Sequence, residues 1–81
     1  MTIEEKLREL ILMKYNSLRQ FTRVIEVPYS TVNTIFIRGI NNANFFTIVK
    51  MCNELDISLD GVASGQIIHR NQSIGGEKGQ N

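Results

Sequence analysis

Apolar residues return at helical spacing through most of this chain. Ile3, Leu7, Leu10 and Ile11 make one stripe, with Glu4, Glu5, Arg8 and Glu9 off it, which predicts an amphipathic first helix facing a core. Thr2 precedes it as a cap, and Glu5, three residues on, completes a T-x-x-E capping box. Tyr15-Asn16 breaks the pattern. Ser17-Leu18-Arg19-Gln20 then repeats the cap logic as S-x-x-Q and opens a short second helix, with Leu18, Phe21, Val24 and Ile25 inward and an end near Glu26. Pro28 follows two residues later, and proline suits the first turn of a helix, so a very tight turn joins helices two and three. In the third helix Val32, Ile35 and Phe36 share the inward face, while Tyr29, Ser30, Asn33 and Thr34 project elsewhere. Ser30, Thr31, Asn33 and Thr34 are poor helix formers with hydrogen-bonding ends. Such a surface is selected for something other than stability.

Gly39 closes the third helix, and Ile40 to Ala43 form a loop before Asn44, which caps a fourth. Phe45, Ile48, Val49, Cys52 and Leu55 line the expected core side of that helix, with Phe46, Thr47, Lys50, Asn53 and Glu54 outward. Ser58 caps a short fifth helix with Leu59 and Val62 inward. Phe46, Met51 and Ile57 remain as exposed apolar residues. The pattern therefore predicts an all-α, compact five-helix domain over residues 1–64. Residues 65–81 lose periodicity, gather glycine and polar residues, and read as a flexible polar tail with Ile67, Ile68 and Ile74 as its only anchors.

Composition narrows the classes. A chain of 81 residues holds one compact domain, and 42% hydrophobic with 21% charged residues is ordinary for a globular one. No apolar run reaches the roughly 18 residues a membrane helix needs. The N-terminus lacks the basic and apolar segments of a secretory signal, which places the protein in the cytoplasm. Cys52 is the sole cysteine and His69 the sole histidine, so no disulfide and no cluster of metal ligands is expected. Cys52 reads as a small core residue and His69 as a solvated one. Glu4, Glu5, Glu9, Glu54, Asp56 and Asp60 read as caps and solvated helix faces, and neither a histidine partner nor a glycine-rich phosphate loop accompanies them. The expectation is of no enzyme, no cofactor and no small-molecule ligand.

Net charge is only +1, but the charges are unevenly spread. Residues 15–53 carry Arg19, Arg23, Arg38 and Lys50 against Glu26 alone, whereas residues 54–64 carry Glu54, Asp56 and Asp60 with no base. A polyanion would be drawn to the middle of the chain and repelled by the segment after it. Four bases on a solvated face are the plainer reading of the same distribution.

A capped short helix, a tight turn and a second helix of small polar residues are what a recognition helix in the major groove needs. The chain resembles the Xre and phage-repressor (lambda-repressor-like, Cro-type) helix-turn-helix family. The likeness runs through Ser17-Leu18-Arg19-Gln20-Phe21-Thr22, Val27-Pro28-Tyr29-Ser30-Thr31-Val32, Arg38-Gly39 and Leu55-Asp56-Ile57-Ser58-Leu59-Asp60, and covers roughly residues 3 to 64. It implies a five-helix domain with helices two and three as the DNA-binding unit, commonly a homodimer on a two-fold operator. Carried over by position, the base-reading face is Tyr29, Ser30, Asn33 and Thr34. An asparagine amide matches N7 and N6 of adenine in the major groove, a pairing that discriminates by about 1–3 kcal/mol; a solvated position is the alternative for Asn33. Tyr29 either stacks at the groove edge or packs at the start of its helix, and Ser30 and Thr34 reach either a base edge or a phosphate.

The resemblance also implies phosphate contacts from Arg19, Arg23, Arg38 and Lys50 and from the helix starts at Ser17 and Asn44, which fix register and give salt-dependent affinity. Arg23 could equally be only solubilising. Thr22 stands where the family usually has alanine, and Glu26 where it has a turn glycine. Glu26 in the left-handed conformation would carry strain on the order of 1 kcal/mol. The expected function is a sequence-specific regulator of transcription, a repressor of the phage or prophage type. The alternative is a protein-interaction module, such as an antitoxin, on the same scaffold.

Overall fold

The structure, a computed structural model, describes residues 1–70; residues 71–81, with Ile74 and the end of the expected tail, lie outside them. Among the described residues five α-helices follow in order: α1 (Ile3–Lys14), α2 (Leu18–Ile25), α3 (Tyr29–Arg38), α4 (Phe45–Leu55) and α5 (Leu59–Ala63), with a 3-10 turn at Ile40–Asn42. No helix among them is long and apolar enough to cross a membrane.

Each boundary has a chemical cause. The Thr2 hydroxyl accepts from the Glu5 amide at 3.1 Å and the Thr2 amide donates to the Glu5 carboxylate at 2.9 Å, so both halves of the expected capping box form. At α2 the Ser17 hydroxyl accepts from Gln20 N–H, but the Gln20 side chain reaches one residue further back, accepting from Asn16 N–H at 2.9 Å. Asn44 and Ser58 cap α4 and α5 through side-chain oxygens. Pro28 occupies the cap position of α3 rather than its first turn, and its carbonyl accepts from Thr31 and Val32.

Leu7, Ile11, Phe21, Val32, Ile35, Met51, Leu55 and Ile57 are buried together in one core, joined by Leu18, Ile25, Ile48, Cys52 and Val62. Burial of side chains this size, at roughly 1.5–3 kcal/mol each, is what holds a chain so short in one shape. Five residues depart from the expected faces. Val24 and Phe45 are exposed, although read as inward. Thr47, Met51 and Ile57 are buried, although read as outward. The buried stripe of α4 is Thr47, Ile48, Met51, Cys52 and Leu55, a helical i, i+1, i+4, i+5, i+8 face rotated from the expected one so that Phe45 falls outside it.

The fold also continues beyond residue 64. Gln66 N–H donates to the Gly61 carbonyl at 2.8 Å, Ser58 N–H to the Ile68 carbonyl at 2.7 Å, and Arg70 N–H to the Asp56 carbonyl at 3.0 Å. His69 forms an isolated antiparallel bridge with Ile57, which leaves it half-buried and not freely solvated. Ile67 packs against the core, and an Arg70–Asp56 ion pair at 3.3 Å closes the end. The reason is local: Asp56 turns left-handed (φ 57°) at the end of α4, and although the Asp56 and Ile57 amides still donate to α4 carbonyls, the Asp56 carbonyl and the Ser58 amide find their partners in the return segment.

Candidate functional site

The site is built around α3, and the turn before it sets its angle. After Ile25 the backbone reverses through Glu26 at φ 60°, ψ 44°, with Glu26 N–H donating to Arg23 and Thr22 carbonyls and Val27 N–H to Thr22 at 3.1 Å. This paired closure is the kind that usually carries glycine. Thr22 is buried at the α2 end of the turn, and its hydroxyl is satisfied by the Arg19 carbonyl at 2.8 Å.

From α3, Val32 and Ile35 are buried while Ser30, Thr34, Ile37 and Arg38 are exposed; Tyr29, Thr31 and Asn33 are half-buried. The Thr34 hydroxyl donates to the Ser30 carbonyl at 2.7 Å. The side-chain amide of Asn33 has no hydrogen-bond partner among the described residues.

Surface depressions flank α3, two of them at its expected base-reading residues. A groove of about 900 Å³ is lined by Ser30, Thr31, Thr34, Arg38, Asn42 and Asn44 together with Ile35, Gly39 and Ala43, so that Arg38 is its only charge. A smaller one is lined by Arg19, Thr22, Arg23, Glu26, Val27, Pro28 and Tyr29. In it the Arg19 guanidinium carbon lies 4.1 Å from the centre of the Tyr29 ring, within range of a cation–π attraction.

The far wall of the groove is anchored from another helix. Glu4 of α1 accepts from Ile40 N–H at 2.7 Å, and this bond is the main reason its carboxyl titrates below the usual range. Asn42 adds a side-chain bond to the Arg38 carbonyl at 3.2 Å. The loop is therefore held at both ends, against α1 and against α3.

Of the sequence-predicted residues, Ser30, Thr34, Arg38 and Asn44 share the groove, and Arg19, Arg23 and Tyr29 share the smaller depression. Ser17 caps α2. Lys50 is set apart, in a third depression with Val24, Ile25, Glu26, Asn53 and Glu54. Thr31 and Asn42 belong to the groove and were given no site role by sequence; the polar composition of α3 was the available signal for Thr31 and the asparagine-rich loop for Asn42. Glu4 carried no such signal, because its partner is 36 residues away.

Elsewhere, burial together with a hydrogen bond from its hydroxyl to Glu54 raises Tyr15 to about 12, and burial pushes the Cys52 thiol up. Neither group lines the groove or the smaller depression. Among the described residues no group of histidine, cysteine or acidic side chains could hold a metal ion. Compared with family models, with curated proteins and with solved structures, the chain matches none.

Proposed function

We propose that this protein is a sequence-specific double-stranded DNA-binding regulator of transcription, a repressor of the phage type, with α2, the Glu26 turn and α3 as its helix-turn-helix. The observation that carries the reading is the division of α3: Val32 and Ile35 are buried and anchor it from behind, while Ser30 and Thr34 are exposed and Asn33 is half-buried with its amide unpartnered among the described residues. A major groove admits a helix presented this way. Asn33, with both ends of its amide unpartnered among the described residues, reads adenine; Ser30 meets a base edge or an adjoining phosphate, and Thr34, whose hydroxyl hydrogen is taken by the Ser30 carbonyl, meets a base edge as an acceptor or through its methyl. Arg38 and the Asn44 cap of α4 hold one strand across the groove, and Arg19 with the start of α2 at Ser17 holds the other side. Lys50 and Arg23 contribute charge at the margins.

One domain of this size covers little DNA, so a homodimer on a two-fold site gives the specificity a regulator needs. A cytoplasmic location follows from the same role. The test is binding to the DNA upstream of its own coding region across a salt series. Affinity falls steeply with salt and is lost in Asn33→Ala and Arg19→Ala. Absence of binding even at low salt defeats the proposal and favours a protein-interaction module, for which the exposed, edge-to-face Phe45–Phe46 pair is the supporting observation.

A further inference from the structure

Arg19 and Tyr29 come from different helices, and the turn at Glu26 is what brings them together. The guanidinium carbon lies over the ring at 4.1 Å. An attraction to the face of a ring uses the charge of a guanidinium and none of its five N–H donors. Among the described residues those donors have no acceptor, so the group is positioned while its hydrogen-bonding capacity stays whole. The side chain itself is exposed, at the start of α2, beside the first turn of α3.

We propose that Arg19 is a bidentate acceptor clamp and that Tyr29 is its platform, a positioning residue and not a reader of bases. The proposal rests on the DNA-binding reading and deepens it by assigning this pair a ligand chemistry. The planar fork takes two adjacent oxygen or nitrogen acceptors, either two phosphate oxygens or O6 and N7 of one guanine. An ordinary arginine loses much side-chain freedom when it binds. Here the ring has already restricted the rotamers, so less is lost on association. Lysine supplies the charge but not the fork, and phenylalanine supplies the platform without the hydroxyl.

The experiment uses the full chain and a duplex enriched by the protein from a random-sequence pool. Tyr29→Phe is expected to bind within about twofold of the parent, whereas Arg19→Lys and Tyr29→Leu each weaken binding roughly tenfold. The double variant Arg19→Lys/Tyr29→Leu binds no more weakly than either single one, since the two residues act as one device. Replacement of single guanines by 7-deazaguanine, and of single phosphates by methylphosphonate, tells the two acceptor sources apart: loss at one base or at one phosphate supports the clamp and names its ligand.

A DNA-independent readout keeps the clamp separable from the regulator assignment. Titration with inorganic phosphate shifts the Arg19 Nε–H resonance in the parent and in Tyr29→Phe but not in Tyr29→Leu. If the phosphate response is present and no duplex binds, the DNA reading fails and the clamp stands. Unaltered duplex affinity in Tyr29→Leu alongside weakened binding in Asn33→Ala overturns the clamp and leaves the DNA reading intact. A phosphate response that ignores Tyr29 also overturns it.

Discussion

Glu26 holds a conformation that its side chain disfavours, at φ 60° and ψ 44°. A residue with a Cβ in this region brings that atom against the following carbonyl, at a cost of roughly 1–2 kcal/mol. Glycine removes the clash but has more freedom to lose on folding, a penalty of about 0.5–1 kcal/mol. The balance favours Glu26→Gly by about 0.5–1 kcal/mol, which for a domain of this size raises Tm by roughly 3–6 °C. Thermal unfolding followed by far-ultraviolet circular dichroism measures it, with Glu26→Ala as the control: alanine deletes the carboxylate but keeps the Cβ, and gains nothing. Asp56 offers an internal comparison, because it has nearly the same backbone angles (φ 57°, ψ 48°). Aspartate tolerates this region better, and its carboxylate pairs with Arg70, so Asp56→Gly gains less or loses. A lower Tm for Glu26→Gly, or an equal gain in Glu26→Ala, would refute the reasoning about the turn.

The return segment supports Ile57 and the end of α4, so ending the chain at Gly65 removes three backbone hydrogen bonds and the Ile67 contact and lowers stability on the order of 2 kcal/mol, read as a drop in denaturant midpoint. Of the two tyrosines, Tyr15 titrates at about 12, so a spectrophotometric titration of phenolate loses its late step in Tyr15→Phe. Its folded value lies above the unfolded one, so the stability it contributes is complete below about 10 and disappears as pH rises through about 12. Glu4 has the opposite sign: its folded value is lowered, so its contribution is present above the ordinary carboxylate range and is lost as pH falls through the lowered folded value. The Tm gap between the parent and Glu4→Gln is therefore expected to narrow on acidification, and a gap independent of pH would count against the Ile40 bond.

Helix starts were legible because each rests on a residue type with a local job: Thr2, Ser17, Asn44 and Ser58 all form the side-chain caps that their chemistry suggests. The left-handed Glu26 was legible for the same reason, as a position where glycine would be at ease. Faces were harder to read. In α2 the buried set is Leu18, Phe21, Thr22 and Ile25; Val24 is apolar but lies about 100° round the helix from Ile25. In α4 the placement of Thr47 and Met51 inside, and Phe45 outside, depends on which side of the helix meets the rest of the core, which spacing alone does not contain. Ile57 follows a left-handed turn, and no periodicity governs a residue there. The strap formed by residues 66–70 was missed because its order comes from backbone groups on Asp56, Ser58 and Gly61, which any sequence possesses. The polar composition of α3 was plain in the sequence, and the separation of Lys50 from the other bases was not.

The single hydroxyl hydrogen of Thr34 is committed to the Ser30 carbonyl. What the side chain shows to the outside is then a pair of oxygen lone pairs and a methyl group. Any molecule that settles on this part of α3 must supply the proton itself, as an exocyclic amine would, or meet the methyl with another apolar surface. A bare carbonyl arriving there would find nothing to bind.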